Sequence, residues 1–227
     1  MLGSLTRVVH KNLANAVSIL GVLPLCLLLG EGGYQYLIPL IIYNNIMDDL
    51  DGILAAKLGI KSGFGGILDN VCDAVAHTLL VMVVGMRYGG VCGAISLVAV
   101  GALMLRVVSR LDPNAPVNTG SPTNELMRHM LFIILLAGNF GFNPAPFLTI
   151  AFAVHAVSML VPYRMPYLLR SLTKSATMIG LVNVALVAAW RAPQATPIVA
   201  ACFISTYLYS LAAGAYRRRH EAAPGRL

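Results

Sequence analysis

The stretch DDLDGILAAKLGIKSGFGGILDNVCD, residues 48–73, concentrates the acidic residues of this chain. It holds five of the nine acidic residues, although only 11% of the 227 residues are charged and 58% are hydrophobic. Between its two acidic segments, residues 59–66 contain four glycines, a lysine and a serine. Such a composition is typical of the end of one helix, a tight turn and the start of the next. The stretch therefore predicts a helical hairpin with carboxylates on both arms.

The aspartates are spaced so that each arm of the hairpin presents a pair on one face. Asp48 and Asp51 are three residues apart, and Asp69 and Asp73 are four residues apart. Residues at both spacings are neighbours on a helix surface. Asp49 points about 100° away from Asp48 and is not expected to join the pairs. The hairpin should therefore bring four carboxylates face to face.

Outside this stretch, apolar runs recur at about the 20 residues that a helix needs to cross a bilayer. Eight spans are predicted, at about residues 13–30, 34–56, 67–86, 90–109, 125–139, 144–163, 175–190 and 195–215. We therefore predict an all-α, polytopic integral membrane helical bundle with about eight transmembrane helices. It is expected to form a single transmembrane domain over residues 1–227.

The basic residues predict how this bundle is oriented. With a cytoplasmic N-terminus, every lysine and arginine except Arg87 and Arg191 falls on the cytoplasmic side of the eight spans, the bias that membrane proteins show. Both termini and the hairpin turn are then cytoplasmic. The net charge of +7 is explained by this topology and by attraction to anionic membrane lipid. No nucleic-acid partner is predicted, because no folded basic surface is evident.

Carboxylates that face one another in a membrane indicate a cation site. They cannot all stay charged without a counter-charge, and burial in the bilayer makes each charge costly. Oxygen ligands suit hard ions such as Mg²⁺ or Mn²⁺, and such sites commonly take a substrate phosphate as a further ligand. Gly52 and Gly65, close to the aspartates, either leave room for that substrate or pack the two helices closely.

The four cysteines are scattered singly through apolar spans, at Cys26, Cys72, Cys92 and Cys202. They show no CxxC spacing. We expect small buried residues here, and neither a disulfide framework nor a zinc site.

The acidic stretch closely resembles the signature of the CDP-alcohol phosphotransferase (CDP-alcohol phosphatidyltransferase) family. The signature positions here are Asp51, Gly52, Ala55, Gly65, Asp69 and Asp73, with Asp48 three residues before them. The segment LANAVSILG at 13–21 is similar to the family's Pro-Asn-x-x-Thr opening. The family usually has an arginine directly after the motif alanine, where this chain has Ala56 followed by Lys57. Lys57 or Lys61 is expected to take over any phosphate contact of that arginine, as a point charge without its fork.

Further segments resemble one branch of this family. The eight spans, the stretch at 105–126 and VPYRMPY at 161–167 are similar to the bacterial phosphatidylserine and phosphatidylcholine synthases. This resemblance implies a bacterial-type inner (plasma) membrane and, by analogy with the family, a homodimer.

The resemblance also implies a reaction. CDP-diacylglycerol would donate its phosphatidyl group to a small alcohol, with serine favoured, and release CMP. Two divalent ions, Mg²⁺ or Mn²⁺, would be held by Asp48, Asp51 and Asp69, while Asp73 would share one ion and take the proton of the acceptor hydroxyl. The residues expected at the CDP moiety are Asn15, Ser18, Gly52, Ala55, Lys57, Lys61 and Gly65.

The acceptor is the least determined part of this interpretation. Its expected ligands are the basic residues Arg106, Arg110, Arg128 and Arg164. One arginine suffices for the carboxylate of serine, whereas two converging ones would suit inositol phosphate or glycerol phosphate. Choline would need aromatic or acidic surroundings instead. An alternative from another class is a divalent-cation-binding membrane protein without transferase activity, because intramembrane carboxylates also mark ion pathways.

Overall fold

The computed structural model of the chain describes residues 12–111, 121–161, 165–166 and 176–221. Within these ranges it contains eight α-helices, two short 3-10 helices and no strand. The α-helices are α1 Leu13–Val22, α2 Leu37–Lys57, α3 Gly63–Tyr88, α4 Gly90–Leu111, α5 Thr123–Phe140, α6 Ala145–Leu160, α7 Ala176–Arg191 and α8 Thr196–Glu221. The 3-10 helices are Leu23–Leu29 and Gly33–Tyr36.

Each of the eight predicted spans corresponds to one of these helices. Three helices of the described part, Gly63–Tyr88, Gly90–Leu111 and Thr196–His220, are long and apolar enough to cross a membrane. Large apolar side chains such as Leu29 and Met86 are exposed, as expected for helix faces that contact lipid tails. The predicted all-α membrane bundle is confirmed, and the crossing of the membrane by all eight helices stays a prediction.

The chain divides into two compact units, Met1–Val83 and Val84–Leu227. The single domain predicted from the sequence stays a prediction. In the first unit, α1 packs along α2, where Asn44 Nδ2 donates to the Gly21 carbonyl at 3.3 Å. A Cβ at Gly21 would lie 2.9 Å from Met47 Cβ, so the close approach of the two helices requires a glycine there. Pro24 has no amide hydrogen, and the chain changes from α1 to a 3-10 helix at this point.

The turn between α2 and α3 is closed by two capping motifs. Gly59 adopts a φ of +64°, and the amides of Gly59 and Ile60 donate to carbonyls of the last turn of α2 at 3.4 and 3.1 Å. This is a Schellman motif, which favours glycine because other residues are strained at positive φ. Ser62 then caps α3 by accepting a hydrogen bond of 3.0 Å from the Gly65 amide. The hairpin turn is thus shorter than the glycine run suggested, because α3 begins at Gly63.

In the second unit, α4 packs against α6, and α5 contacts both α6 and α8. A buried polar network joins the last three of these helices. His129 Nδ1 and His155 Nε2 lie 2.8 Å apart, the Tyr207 hydroxyl lies 3.4 Å from His155 Nδ1, and Ser158 Oγ lies 2.7 Å from the Tyr207 hydroxyl. Such contacts give buried polar groups hydrogen-bond partners inside an otherwise apolar bundle, although the buried His129 Nε2 has no such partner among the described residues.

The cysteines differ from the expectation that all four are buried. Cys92 is buried and Cys72 is half-buried, but Cys26 and Cys202 are exposed. The prediction was wrong for these two because an apolar helix face in a membrane bundle can contact lipid, so an apolar residue need not lie inside the protein.

Candidate active site

Three aspartates of the hairpin converge in the first unit. Asp48 and Asp51 of α2 and Asp69 of α3 each offer one carboxylate oxygen, and these oxygens all lie within 4.8 Å of one another. Oxygens bound to one Mg²⁺ at about 2.1 Å lie up to about 4.2 Å apart. Small side-chain rotations would therefore let the three share an ion, and their oxygen-only donor set fits the hard divalent ions.

Asp73 lies beside this group, within hydrogen-bonding reach of Asp48. All four aspartates line one small cavity, together with Ser18, Gly21, Val22, Asn44 and Cys72. The neighbouring Asp49 accepts a hydrogen bond of 3.2 Å from Asn45 Nδ2 and is not among the residues that line the cavity. Asp73 thus lies in the cavity with the metal-ligand candidates, whereas Asp49 lies outside the cavity lining.

Helix α1 reaches the acidic group through Ser18. Its hydroxyl donates a hydrogen bond to Asp51 Oδ2. Both side chains are buried, each with 7% of its surface exposed. The first helix therefore contributes directly to the surroundings of Asp51.

An open cleft of about 210 Å³ adjoins the cavity. It is lined by Ala14, Asn15, Ser18, Asp51, Gly52, Ala55, Ile60, Lys61, Ser62, Gly65, Gly66 and Asp69. Of the residues expected at the CDP moiety, only Lys57 is absent from this lining, and it is exposed at the end of α2. Ser18, Asp51 and Asp69 line both the cleft and the cavity, so the two spaces meet at the aspartates.

The glycines of the cleft differ in what surrounds them. Apart from its chain neighbours and the backbone of its own helix turn, a Cβ at Gly52 would meet no atom within 4 Å, so no packing contact with another helix requires a glycine there. A Cβ at Gly65 would lie 3.1 Å from both Asn15 Oδ1 and Ser62 Oγ. Gly52 is therefore better explained by the open cleft than by close helix packing.

A family model described as CDP-alcohol phosphatidyltransferase matches residues 11–163. The chain belongs to this family. The match covers about two thirds of the chain and includes α1, the hairpin and every residue that lines the cleft. A comparison with curated proteins found no match.

Membership of the CDP-alcohol phosphatidyltransferase family confirms the resemblance. Members of this family transfer a phosphatidyl group from a CDP-alcohol to an acceptor alcohol. They act on lipid and depend on divalent metals. Together with the three long apolar helices, it identifies the chain as a membrane protein and a transferase of phospholipid biosynthesis.

The arginines expected to bind the acceptor lie in the second unit or outside the described residues. Arg106 is buried and donates from Nη1 to the Met159 carbonyl at 3.3 Å. Arg128 pairs with Glu125 at 3.2 Å. Arg110 is half-buried near the end of α4, and Arg164 is not among the residues described.

Several residues of the site were not predicted from the sequence. Asn44 and Cys72 line the cavity, and a signal for both existed: each lies three or four residues from a motif aspartate, on the same helix face. Gly66 and Ser62 line the cleft within the glycine run that was assigned only to the turn. The side chains of Ala14 and Ile60 have no polar group that would indicate a binding role. Their place in the cleft lining is therefore known only from the structure.

Proposed function

We propose that this chain moves a phosphatidyl group from CDP-diacylglycerol to a small alcohol, with serine favoured, and releases CMP. The observation that carries the proposal is the meeting of the cleft and the four-aspartate cavity at one helical hairpin. In this arrangement the cytidine end of the donor occupies the cleft. Its diphosphate then lies at Asp51 and Asp69, the residues that the two spaces share.

Asp48, Asp51 and Asp69 would hold the divalent ions, Mg²⁺ or Mn²⁺, two per site. When bound, these ions draw charge from the diphosphate and make CMP a better leaving group. The chain's own contribution is to hold the three carboxylates together on two helices. Ions bound to these carboxylates would then also be available to the negatively charged diphosphate.

Asp73 takes the proton of the acceptor hydroxyl in this proposal. The hydroxyl oxygen forms a bond to the phosphorus that carries the diacylglycerol, and the bond from that phosphorus to the oxygen of CMP breaks, so that CMP leaves with the electron pair. This role is supported by the position of Asp73, which lies next to Asp48 and lines the same cavity, within reach of an acceptor hydroxyl bound there.

The acceptor, the topology and the assembly are part of the same proposal. An arginine among Arg106, Arg110, Arg128 and Arg164 binds the serine carboxylate, while choline, inositol phosphate and glycerol phosphate are the competing acceptors. The termini and the site lie on the cytoplasmic side of a bacterial-type inner membrane. The distribution of basic residues supports this orientation. A homodimer is carried over from the family by analogy.

CMP release tests this function directly. Purified protein in detergent receives CDP-diacylglycerol, Mg²⁺ or Mn²⁺, and one acceptor at a time: serine, choline, inositol, inositol phosphate or glycerol phosphate. We expect serine to raise CMP release at least about tenfold over the sample without acceptor, and a chelator to abolish it. Stimulation by another acceptor would replace serine, and metal binding without release under any condition would favour the non-enzymatic alternative.

The role of the lysine at the cleft can be tested separately. Lys61 lines the cleft and Lys57 does not, so Lys61→Ala should raise the KM for CDP-diacylglycerol about tenfold, the value of one charge-assisted contact. Lys57→Ala should have a clearly smaller effect on that KM. Adding Ala56→Arg to the Lys61→Ala variant should restore part of the affinity for the donor. The arginine returns a positive charge to the last turn of α2, directly after Ala55 of the cleft lining. A larger effect of Lys57→Ala than of Lys61→Ala on this KM would show that Lys57, and not Lys61, contacts the donor.

A further inference from the structure

We propose that Ser18 is a positioning residue that fixes the carboxylate of Asp51, so that helix α1 sets the geometry of the metal ligands. This inference rests on the proposed function, because it takes Asp51 as a metal ligand. Sequence resemblance placed Ser18 only in the nucleotide pocket. Its hydrogen bond to Asp51 Oδ2 gives it a second role that acts through the aspartate.

The hydroxyl of Ser18 has two acceptors within reach, and only one hydrogen to donate. The Ala14 carbonyl lies 3.2 Å away, the back-bond that many helical serines make within their own helix. Asp51 Oδ2 is the other acceptor, and a hydrogen bond to a carboxylate is stronger than one to a neutral carbonyl. The hydrogen therefore points across the helix interface to Asp51.

This bond restrains the terminal torsion of Asp51. The terminal torsion of an aspartate is broad, so its two oxygens are poorly oriented without a partner. Asp51 sits where the cleft and the cavity meet, and a bond to Oδ2 leaves Oδ1 for an ion. Partners that orient metal ligands in this way typically change metal affinity or activity by about 10–100-fold when they are removed.

Both partners are buried and come from segments 33 residues apart, so the contact also joins α1 to α2. A purely structural role would lower stability without a specific effect on metal binding. The two roles therefore differ in what a substitution changes, and the experiment must measure metal affinity as well as stability.

The test measures Mn²⁺ binding to purified protein in detergent without substrate, from the loss of the electron paramagnetic resonance signal of free Mn²⁺. Ser18→Ala should weaken Mn²⁺ binding about 10–100-fold, while Ser18→Thr, which keeps the hydroxyl, should bind within about threefold of the unchanged chain. CMP release by Ser18→Ala should return toward the original kcat at high Mn²⁺. Ser109→Ala is the matched control, since Ser109 Oγ donates within its own helix α4, to the Arg106 carbonyl at 2.7 Å, and this variant should bind Mn²⁺ normally.

Asp51→Asn separates failure of this inference from failure of the proposed function. If Asp51→Asn weakens Mn²⁺ binding and Ser18→Ala does not, the positioning role is overturned and the metal site stands. If Asp51→Asn binds Mn²⁺ normally, the proposed metal site itself is wrong. Equal weakening in Ser18→Ala, Ser18→Thr and Ser109→Ala, with a lower thermal midpoint in each, would also overturn the positioning role.

Discussion

Replacing Asp73 with asparagine is expected to lower the rate of CMP release by about 10²–10⁴-fold, the usual contribution of a general base. The amide of asparagine keeps the size of the side chain but cannot accept the proton of the acceptor hydroxyl. Asp73 lines the cavity with the three metal-ligand candidates, which is where the proposed reaction removes that proton. The measurement is the initial rate of CMP release at saturating donor and metal.

Asp49→Asn is the matched control for this prediction. It makes the same chemical change on the same hairpin, at a residue that bonds to Asn45 and does not line the cavity. Its rate should stay within about twofold of the original chain, as for most substitutions away from a site. A large loss in both variants would show that the hairpin tolerates no change of charge. An active Asp73→Asn variant would remove Asp73 from the proton transfer.

The second large effect is expected from Gly52→Leu. Beyond its chain neighbours and its own helix backbone, no atom lies within 4 Å of a Cβ at this position, so the folded chain without substrate should accept the side chain, and the thermal midpoint should not fall. The leucine would instead enter the cleft beside Asp51. We expect the KM for CDP-diacylglycerol to rise more than about tenfold, equivalent to more than about 1.4 kcal/mol of lost binding.

Gly101→Leu controls for the insertion of a leucine into a helix. Gly101 lies within α4, is exposed, and a Cβ there would also meet nothing within 4 Å. This variant should keep both its thermal midpoint and its KM. Full activity of Gly52→Leu would show that the donor does not occupy the cleft, whereas a lowered midpoint would show that Gly52 serves packing after all.

Lys61 lines the cleft, whereas Ala56, at the position of the family's usual arginine, does not. The position after the motif alanine is Ala56, which is exposed on α2. The turn that follows, closed by the Schellman motif at Gly59 and capped by Ser62, brings Lys61 to the rim of the same cleft. A lysine is a mobile point charge, so a short loop can deliver it where a helix position does not.

Local spacing and composition alone were enough to predict the hairpin and its eight-helix context. Asp48 with Asp51, and Asp69 with Asp73, each share a helix face because the period of the α-helix is fixed by its backbone hydrogen bonds. Gly59 ends α2 for an equally local reason, since it occupies the left-handed region that glycine tolerates. The apolar runs predicted the helices because a bilayer-sized helix has a set length.

Only the tertiary structure decided which of the candidate residues meet. Ser18 and Asp51 are 33 positions apart, Lys61 rather than Lys57 lies at the cleft, and Arg106 donates to the carbonyl of Met159, 53 positions away. These outcomes depend on the packing of separate helices and on the direction of single side chains, which no local pattern specifies. The sequence by itself determined the helices and the face that carries the carboxylates, because both follow from the geometry of one helix; the surroundings of each carboxylate follow from how several helices pack.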